Sequence, residues 1–421
     1  GIIVLSKDSK IKVGVNALPL LELEDIIFDV SVNPDRGYAM SIRGLARELA
    51  VALKLPYKDP AALVKDNYKI NKLGVGVKIS AKDACDVIYM RTIKDFNASA
   101  PTPMYMRRRI EKCGMRAISL AVDITNYVML EMGQPLHAFD ADEIDEAIEI
   151  RRAGTSKKLK TLDGVERNLD DDDLVVADSK KVLALAGTMG GLESEITSKT
   201  TRIAVEAVHF DAISIAKNSR RHKLSSEASR RFERGVDPKL AEISSARAAS
   251  LLMELGGAKY VGTSHVGKVK EFAPIKLDPS YVSTRIGLEI SKEEVKEKLQ
   301  LVGCEVRGDS TFEVIPPTWR SELLSPADLS EEVARNIGYD KIPSILPPRK
   351  SSATLTSSQR RKRILRQTLV ARGYTEILNF PFVNRDLIDR MGFVGARAES
   401  YKLANPMSED QPYLRPHLLP G

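Results

Sequence analysis

The sequence predicts an α+β protein of several domains, and three observations carry the prediction. The chain has 421 residues, enough for two to four separate cores. Segments with the two-residue period of a strand alternate with segments of helical period. Aromatic residues make up only 5% of the chain, so its cores are to be filled by Leu, Ile, Val and Ala.

In order along the chain, 26–32 (IIFDVSV) reads as a strand. Asn33, Pro34, Asp35, Arg36 and Gly37 form a turn into a helix with Ile42, Leu45, Leu49 and Leu53 on one face. A looser stretch, 54–73, precedes the strand-like VGVKIS and DVIYMRTI. Met104–Lys112 is a short basic helix with Gly114 as its stop, and β signals dominate from there to Glu195. Within that stretch VDITNYVML alternates as a strand or strand-to-helix segment would, Gly133, Gln134 and Pro135 punctuate it, and 162–165 (LDGV) makes a hairpin turn. Residues 238–255 are a long helix ended by Gly256 and Gly257. A domain boundary is expected near 268–274. Beyond it Ser291 and Glu294 make a capping box before Val295, Leu299 and Leu301, and Phe312–Ile315 is a strand. Residues 347–358 are a linker, and 359–371 a helix ended by Gly373, with Ile364, Leu365, Thr368 and Leu369 facing inward.

Lys and Arg number 64 against 57 Asp and Glu, a formal charge of +7 that suits a polyanionic partner. Solvated surface accounts for most of the basic clusters at 107–109, 220–223, 230–231 and 360–363. Cys85, Cys113 and Cys304 share no CxxC spacing, which argues against a disulfide framework or zinc site and fits a reducing cytoplasm. No apolar run reaches the roughly 18 residues of a membrane span. Gly1 at the start in place of Met, and the stop at 418–421, suggest a piece of a longer chain.

The densest mixture of polar and apolar residues is 121–140 (AVDITNYVMLEMGQPLHAFD). Thr125, Asn126, Gln134 and His137 either converge on a pocket or cap turns and satisfy buried backbone. Gly187, Thr188, Met189, Gly190 and Gly191 read as a close-approach turn; no Walker-type Lys-Ser/Thr follows, so a phosphate loop is not indicated. Its glycines could bring backbone N–H groups to a reacting carbonyl. Asp328, Glu331 and Glu332 share one helix face, where hard oxygen ligands suit Mg²⁺; Ser325, Pro326 and the acids after them are equally what a helix N-terminus favours without metal.

The stretch VDITNYVMLEMGQPLHAFD, with APTPMYMRRRIEKCGMRAIS, SSEASRRFERGVDP, NPDRGYAMSIRGLARELA, ALAGTMGGLESEI, PPTWRSELLSPADLSEEVARNIGYDKIP and NPMSEDQPYLRPHLLPG, closely resembles the beta chain of bacterial phenylalanine–tRNA ligases over nearly the whole sequence. The resemblance implies four modules. An N-terminal αβ module with the end of a tRNA-binding region occupies 1–85, and a mixed α/β editing module 86–270. A small winged-helix-like module occupies 271–347, and the start of a class II synthetase-like antiparallel module 348–421.

It further implies a cytoplasmic α2β2 heterotetramer with an alpha chain that uses ATP, phenylalanine tRNA as partner, and no membrane. Charging would take place on the alpha chain. This chain would hydrolyse tyrosine wrongly attached to the tRNA, because an apolar pocket rejects an analogue with an added hydroxyl by only about 100-fold. A second pocket that hydrogen-bonds the phenol discriminates by roughly 10⁴ to 10⁵.

By the same resemblance Glu206 is the phenol acceptor, though an exposed strand residue is the commoner fate of such a Glu. His137 and Arg116 lie near the ester and adenosine, with a bound water as nucleophile. Thr125, Asn126, Gly190, Gly191, Ser226 and Ala228 line the site, and Glu322 joins Asp328, Glu331 and Glu332 in a weak magnesium site. Ser226 and Glu322 depart mildly from the family pattern. A free-standing aminoacyl-tRNA deacylase and a catalytically silent tRNA- or DNA-binding scaffold are the rival readings; the segments beyond Lys270 argue against the first.

Overall fold

The computed structural model describes residues 12–20, 24–64, 70–71, 73–348 and 354–421, and the chain forms two compact units, 1–343 and 344–421. The first begins with α1 (Ala17–Leu20), α2 (Ile42–Leu53), β1 (Gly76–Ile79), β2 (Cys85–Lys94), α3 (Met104–Lys112), α4 (Leu120–Met132) and β3 (Leu136–Asp140). It continues through β4 (Ala147–Arg152), β5 (Lys158–Lys160), β6 (Glu166–Asn168), β7 (Leu174–Ala177), β8 (Val182–Leu185), β9 (Met189–Gly190) and β10 (Ile203–Phe210). Then come α5 (Ala212–Arg221), α6 (Glu227–Glu233), α7 (Leu240–Gly256) and β11 (Lys259–Gly267). It ends with β12 (Ile275–Leu277), α8 (Pro279–Ile286), α9 (Lys292–Leu301), β13 (Glu305–Arg307), β14 (Phe312–Ile315) and α10 (Pro326–Ile337).

Strands β11, β2, β10 and β3 pair in that order as an antiparallel sheet, and β1, β4, β7, β8 and β9 form a second sheet. The alternation of β10 stacks them. Ala204, Val208 and Phe210 share a core with Ile148, Val176 and Leu183 of the second sheet, while Ile203 and Val205 share another with Met106, Ile124, Val128 and Leu252 from α3, α4 and α7. A strand buried on both faces reads as continuously apolar. Glu206 and the half-buried His209 are the exceptions in β10, and Glu206 is buried on the cavity side.

The strand-like segment VDITNYVML is in fact helix α4, a correction with a clear cause. Its Ile124 and Val128 are enclosed by α3, α7 and the sheet, so packing overrides the weak helix propensity of β-branched residues. Buried Asp123 supports the helix start, accepting the Ile118 N–H at 2.7 Å and the Thr102 hydroxyl at 2.6 Å, and Gly133 ends it in the left-handed region at φ 95°. Residues 26–32 form no strand, and Ile26, Ile27 and Phe28 stand exposed. The LDGV turn does join an antiparallel pair, β5 and β6, and Gly257 caps the long helix α7. The stretches 54–73 and 347–358 lie partly outside the described residues.

Further along, β12, β14 and β13 form a three-stranded antiparallel sheet packed with α8, α9 and α10 around Leu277, Val295, Phe312 and Leu329. Ser291 caps α9 by accepting the Glu294 N–H, without the reciprocal side-chain bond of a full capping box. The N-terminal segment is bound to this region by charge. Glu332 of α10, 2% exposed at its side chain, pairs with Arg36 at 2.7 Å, Arg320 at 2.8 Å and Arg335 at 2.8 Å. Arg335 also reaches Glu48 of α2 at 2.7 Å, and the Arg47 guanidinium stacks 3.8 Å over the Trp319 ring.

The second unit holds α11 (Ser357–Ala371), β15 (Phe382–Val383), α12 (Arg385–Arg390) and β16 (Tyr413–Leu414), with β15 and β16 paired. Helix α11 forms where periodicity places it, yet it buries nothing. Ile364, Leu365 and Leu369, expected to face inward, are 56%, 60% and 41% exposed.

Candidate active site

The antiparallel register of β10 on β3 places Glu206 directly opposite His137, so both side chains leave the sheet on the same face. That face opens on a cavity of about 220 Å³ between the two sheets. Leu136, Val208 and Phe210 supply one wall, Val176, Ala184 and Leu185 another, and Ala228 and Phe232 of α6 close a third side. Phe210 and Phe232 meet edge to face with ring centroids 5.2 Å apart. A dry cavity of about 150 Å³ already admits a benzene ring, so this one has room for a phenol.

The polar groups in these apolar walls are few, and among the described residues the two ionisable ones have no polar partner; the His137 ring meets Phe139 edge to face. Neither Glu206 nor His137 makes a hydrogen bond or ion pair within the described residues. Burial, with no cation to oppose it, pushes the Glu206 carboxyl up to about 8, and burial lowers the His137 imidazole to about 4. At neutral pH the pair is therefore a protonated carboxyl facing a neutral imidazole. An unpaired carboxyl is costly to hold in such a place.

The glycine-rich turn brings backbone against the imidazole. A Cβ on Gly190 would lie 2.6 Å from His137 Cε1 and 2.9 Å from Nε2, so only glycine leaves the ring its place. Gly190→Ala is expected to shift the ring and lower any His137-dependent rate by about 10²-fold, since displacements near 1 Å cost that much, while leaving the melting temperature within a few degrees. A rate equal to the parent's would show that the ring position does not matter. The backbone N–H groups of Thr188 and Gly191 donate to Leu185 and Leu183 carbonyls at 3.0 and 2.7 Å, so they are not free to meet a carbonyl of a ligand.

Of the residues singled out in sequence, the structure gathers His137, Glu206, Gly190 and Ala228 around the cavity. Gly187, Thr188 and Met189 of the glycine-rich turn line it too, and the remaining ones stand elsewhere. Thr125 and Asn126 sit on α4, which packs on the opposite face of the sheet, and the Thr125 hydroxyl donates to the Val122 carbonyl at 2.7 Å. Arg116 is exposed in the loop before α4. Ser226 is the N-cap of α6, accepting the Ser229 N–H at 3.0 Å, and Gly191 lines a neighbouring groove. The motifs do not single out Phe210 and Phe232, though both stand in legible positions: Phe210 is in phase with Glu206 along β10, and Phe232 lies one helical turn from Ala228.

The four carboxylates expected to hold magnesium do not fit that ion here. Glu332 has its oxygens engaged by three arginines, and Glu322 is paired with Arg320. Asp328 completes a capping box, its Oδ2 accepting the Ser325 N–H at 2.7 Å and the Leu324 N–H at 3.0 Å, and Glu331 faces solvent. Among the described residues no three His, Cys, Asp or Glu side chains are grouped to hold a metal ion. No helix among them is long and apolar enough to cross a membrane.

Three domain families match the chain in succession: the B3/4 domain over 84–257, the tRNA synthetase B5 domain over 275–339, and the phenylalanyl tRNA synthetase beta chain CLM domain over 342–421. The cavity lies in the first, and the last two occupy the segments that a free-standing deacylase would not need. This succession is of aminoacyl-tRNA synthetase type. Over its whole length the chain is 45% identical to the phenylalanine–tRNA ligase beta subunits of Streptomyces avermitilis and of Thermobifida fusca, covering 51% of each. The chain belongs to the family of bacterial phenylalanine–tRNA ligase beta subunits, and it spans about half the length of the relatives it matches. A solved N-terminal fragment of the Pyrococcus horikoshii phenylalanyl-tRNA synthetase beta subunit aligns with 73% of this chain and 86% of its own at 16% identity and a TM-score of 0.38.

Proposed function

We propose that the chain serves as the beta subunit of a phenylalanine–tRNA ligase. Together with an alpha chain that performs the ATP-dependent charging, in an α2β2 assembly in the cytoplasm, it supports attachment of phenylalanine to its tRNA. The cavity between the two sheets hydrolyses the ester when tyrosine has been attached instead. The observation that carries this reading is the unpartnered carboxyl of Glu206 in an apolar, phenol-sized space, opposite an unpartnered imidazole.

In this mechanism the tyrosine ring enters the apolar walls and its hydroxyl meets Glu206. Because the carboxyl is protonated near neutral pH, it both donates to and accepts from the phenol oxygen. Phenylalanine fills the same walls but leaves the carboxyl unpaired. His137 is neutral above about pH 4 and faces the ester, where its free nitrogen accepts a proton from the attacking water or orients a ribose hydroxyl.

His137→Ala is therefore expected to slow hydrolysis of tyrosyl- and phenylalanyl-tRNA alike, by about 10² to 10⁴-fold, with the ratio between them little changed. Release of labelled amino acid from each charged tRNA measures this. Unaltered hydrolysis, or a variant that unfolds at low temperature, would make His137 a structural residue.

A further inference from the structure

Leu162, at the tip of the turn between β5 and β6, stands at the rim of the cavity. It lines that space and is 39% exposed, whereas the other lining residues are buried or half-buried. Its place is fixed beside the glycine-rich turn, with the Leu162 N–H donating to the Gly190 carbonyl at 3.0 Å. The point where a Gly190 Cβ would stand lies 3.1 Å from Leu162 Cδ1 and 2.6 Å from His137 Cε1, so the leucine methyl and the imidazole flank one glycine. Glu206 is paired with His137 from the next strand.

A two-stranded hairpin is only marginally stable by itself, and an exposed tip would ordinarily leave such a rim loose. This tip is clamped. The Thr161 N–H donates to the Val165 carbonyl at 3.1 Å and the Gly164 N–H to the Thr161 carbonyl at 2.8 Å, with Gly164 in the left-handed conformation at φ 79°. The hydroxyl of Thr161, a fully buried residue, donates to Asp163 at 2.6 Å. Arg167 holds the same carboxylate in a two-pronged fork at 2.8 and 2.7 Å. The Arg167 side chain is itself 11% exposed, so the fork is sheltered from solvent and keeps Leu162 in place at the rim.

We propose that Leu162 is a specificity-determining residue: it closes the rim over the bound amino acid side chain, so that no water enters beside the ring to take the place of the phenol at Glu206. The proposal rests on the reading of the cavity as the place where Glu206 separates tyrosine from phenylalanine. That separation requires phenylalanine to leave the carboxyl unpaired. The space left by the missing hydroxyl is about that of one water, and a water drawn into it would pair with the carboxyl as the phenol does. An apolar side chain clamped at the rim excludes that water.

The test uses the whole chain and adenosine carrying tyrosine or phenylalanine through a non-hydrolysable 3′ amide, with binding followed by calorimetric titration; release of each amino acid from charged tRNA is measured in parallel. The parent is expected to prefer the tyrosyl compound. Leu162→Ala should lower that preference at least about tenfold by favouring the phenylalanyl compound, since water then repairs the unpaired carboxyl. Leu162→Met, which refills the rim, should keep it. Val165→Ala, on the same turn, 48% exposed and outside the cavity lining, should match the parent. A preference in Leu162→Ala equal to the parent's, with both affinities lowered together, would reduce Leu162 to a piece of apolar wall and overturn the proposal, as would an equal loss in Val165→Ala. A parent without preference would overturn both the proposal and the selectivity on which it rests. A preference that depends on Leu162, without any hydrolysis of tyrosyl-tRNA, would instead support the role of Leu162 and overturn the hydrolytic reading, so the two failures are distinct.

Discussion

Glu206→Leu is expected to shrink discrimination between tyrosyl and phenylalanyl esters by about two to three orders of magnitude, because an apolar pocket distinguishes the pair by only about 100-fold while a hydrogen-bonding one reaches roughly 10⁴ to 10⁵. Glu206→Gln should keep much of the selectivity, since an amide also donates and accepts. The same carboxyl has a signature in stability. Its pKa rises from 4.5 to about 8 on folding, so between those values the folded chain holds a proton that the unfolded chain releases. That contribution is complete below pH 4.5 and is lost as pH rises toward 8. His137 falls from 6.5 to about 4 and acts in the opposite sense, its contribution complete above pH 6.5 and lost as pH falls toward 4. The two oppose each other in the acid range, leaving the Glu206 slope uncovered from pH 6.5 to 8, where it amounts to about 2 kcal/mol. Denaturant unfolding of Glu206→Gln across that window should lack this decline; an identical decline in the variant would mean that Glu206 is already ionised at neutral pH.

Glu332→Ala should destabilise the first unit by about 3–5 kcal/mol, the usual consequence of removing one partner from a buried ion pair. Three arginines converge on this carboxylate, and Arg320 beside it is 1% exposed, so the substitution strands buried positive charge. Burial alone would raise the Glu332 pKa, but Arg320 and Arg335 hold it down at about 2; its contribution is present above pH 4.5 and fades as pH falls toward 2. Glu331→Ala, one residue away and exposed, should change stability by no more than about 0.5 kcal/mol. Equal effects from the two substitutions would show that the arginine cluster does not fasten the N-terminal segment to α10.

Legibility in the sequence follows how local the cause is. Helix ends with a local cap, such as Gly257 after α7 and Ser325 before α10, stand where spacing places them, because the capping chemistry is contained in a few consecutive residues. Strand β10 is visible in its apolar run, but the decisive fact about Glu206, that it faces His137 across a register, depends on pairing between segments 69 residues apart. Helix α4 reads as a strand because its β-branched residues carry that signal, while its helical state is set by α3, α7 and the sheet around it. The same limit explains residues 26–32, whose apolar alternation finds no neighbouring strand among the described residues. It also explains the acidic start of α10, where the residue types suit a metal but Glu332 is taken by Arg36 and Arg320, one of them far off in sequence. Thr125, Asn126 and Glu206 share the same grounds for selection; only packing separates the helix residues from the cavity.

The measurement closest to the central claim is release of amino acid from phenylalanine tRNA charged with tyrosine and, separately, with phenylalanine, in the presence of this chain. Hydrolysis of the tyrosyl ester at least about 10³-fold faster than the phenylalanyl ester, lying between the discrimination of an apolar and a hydrogen-bonding pocket, is the expected result. Equal rates for the two esters, or no hydrolysis of either, would contradict it.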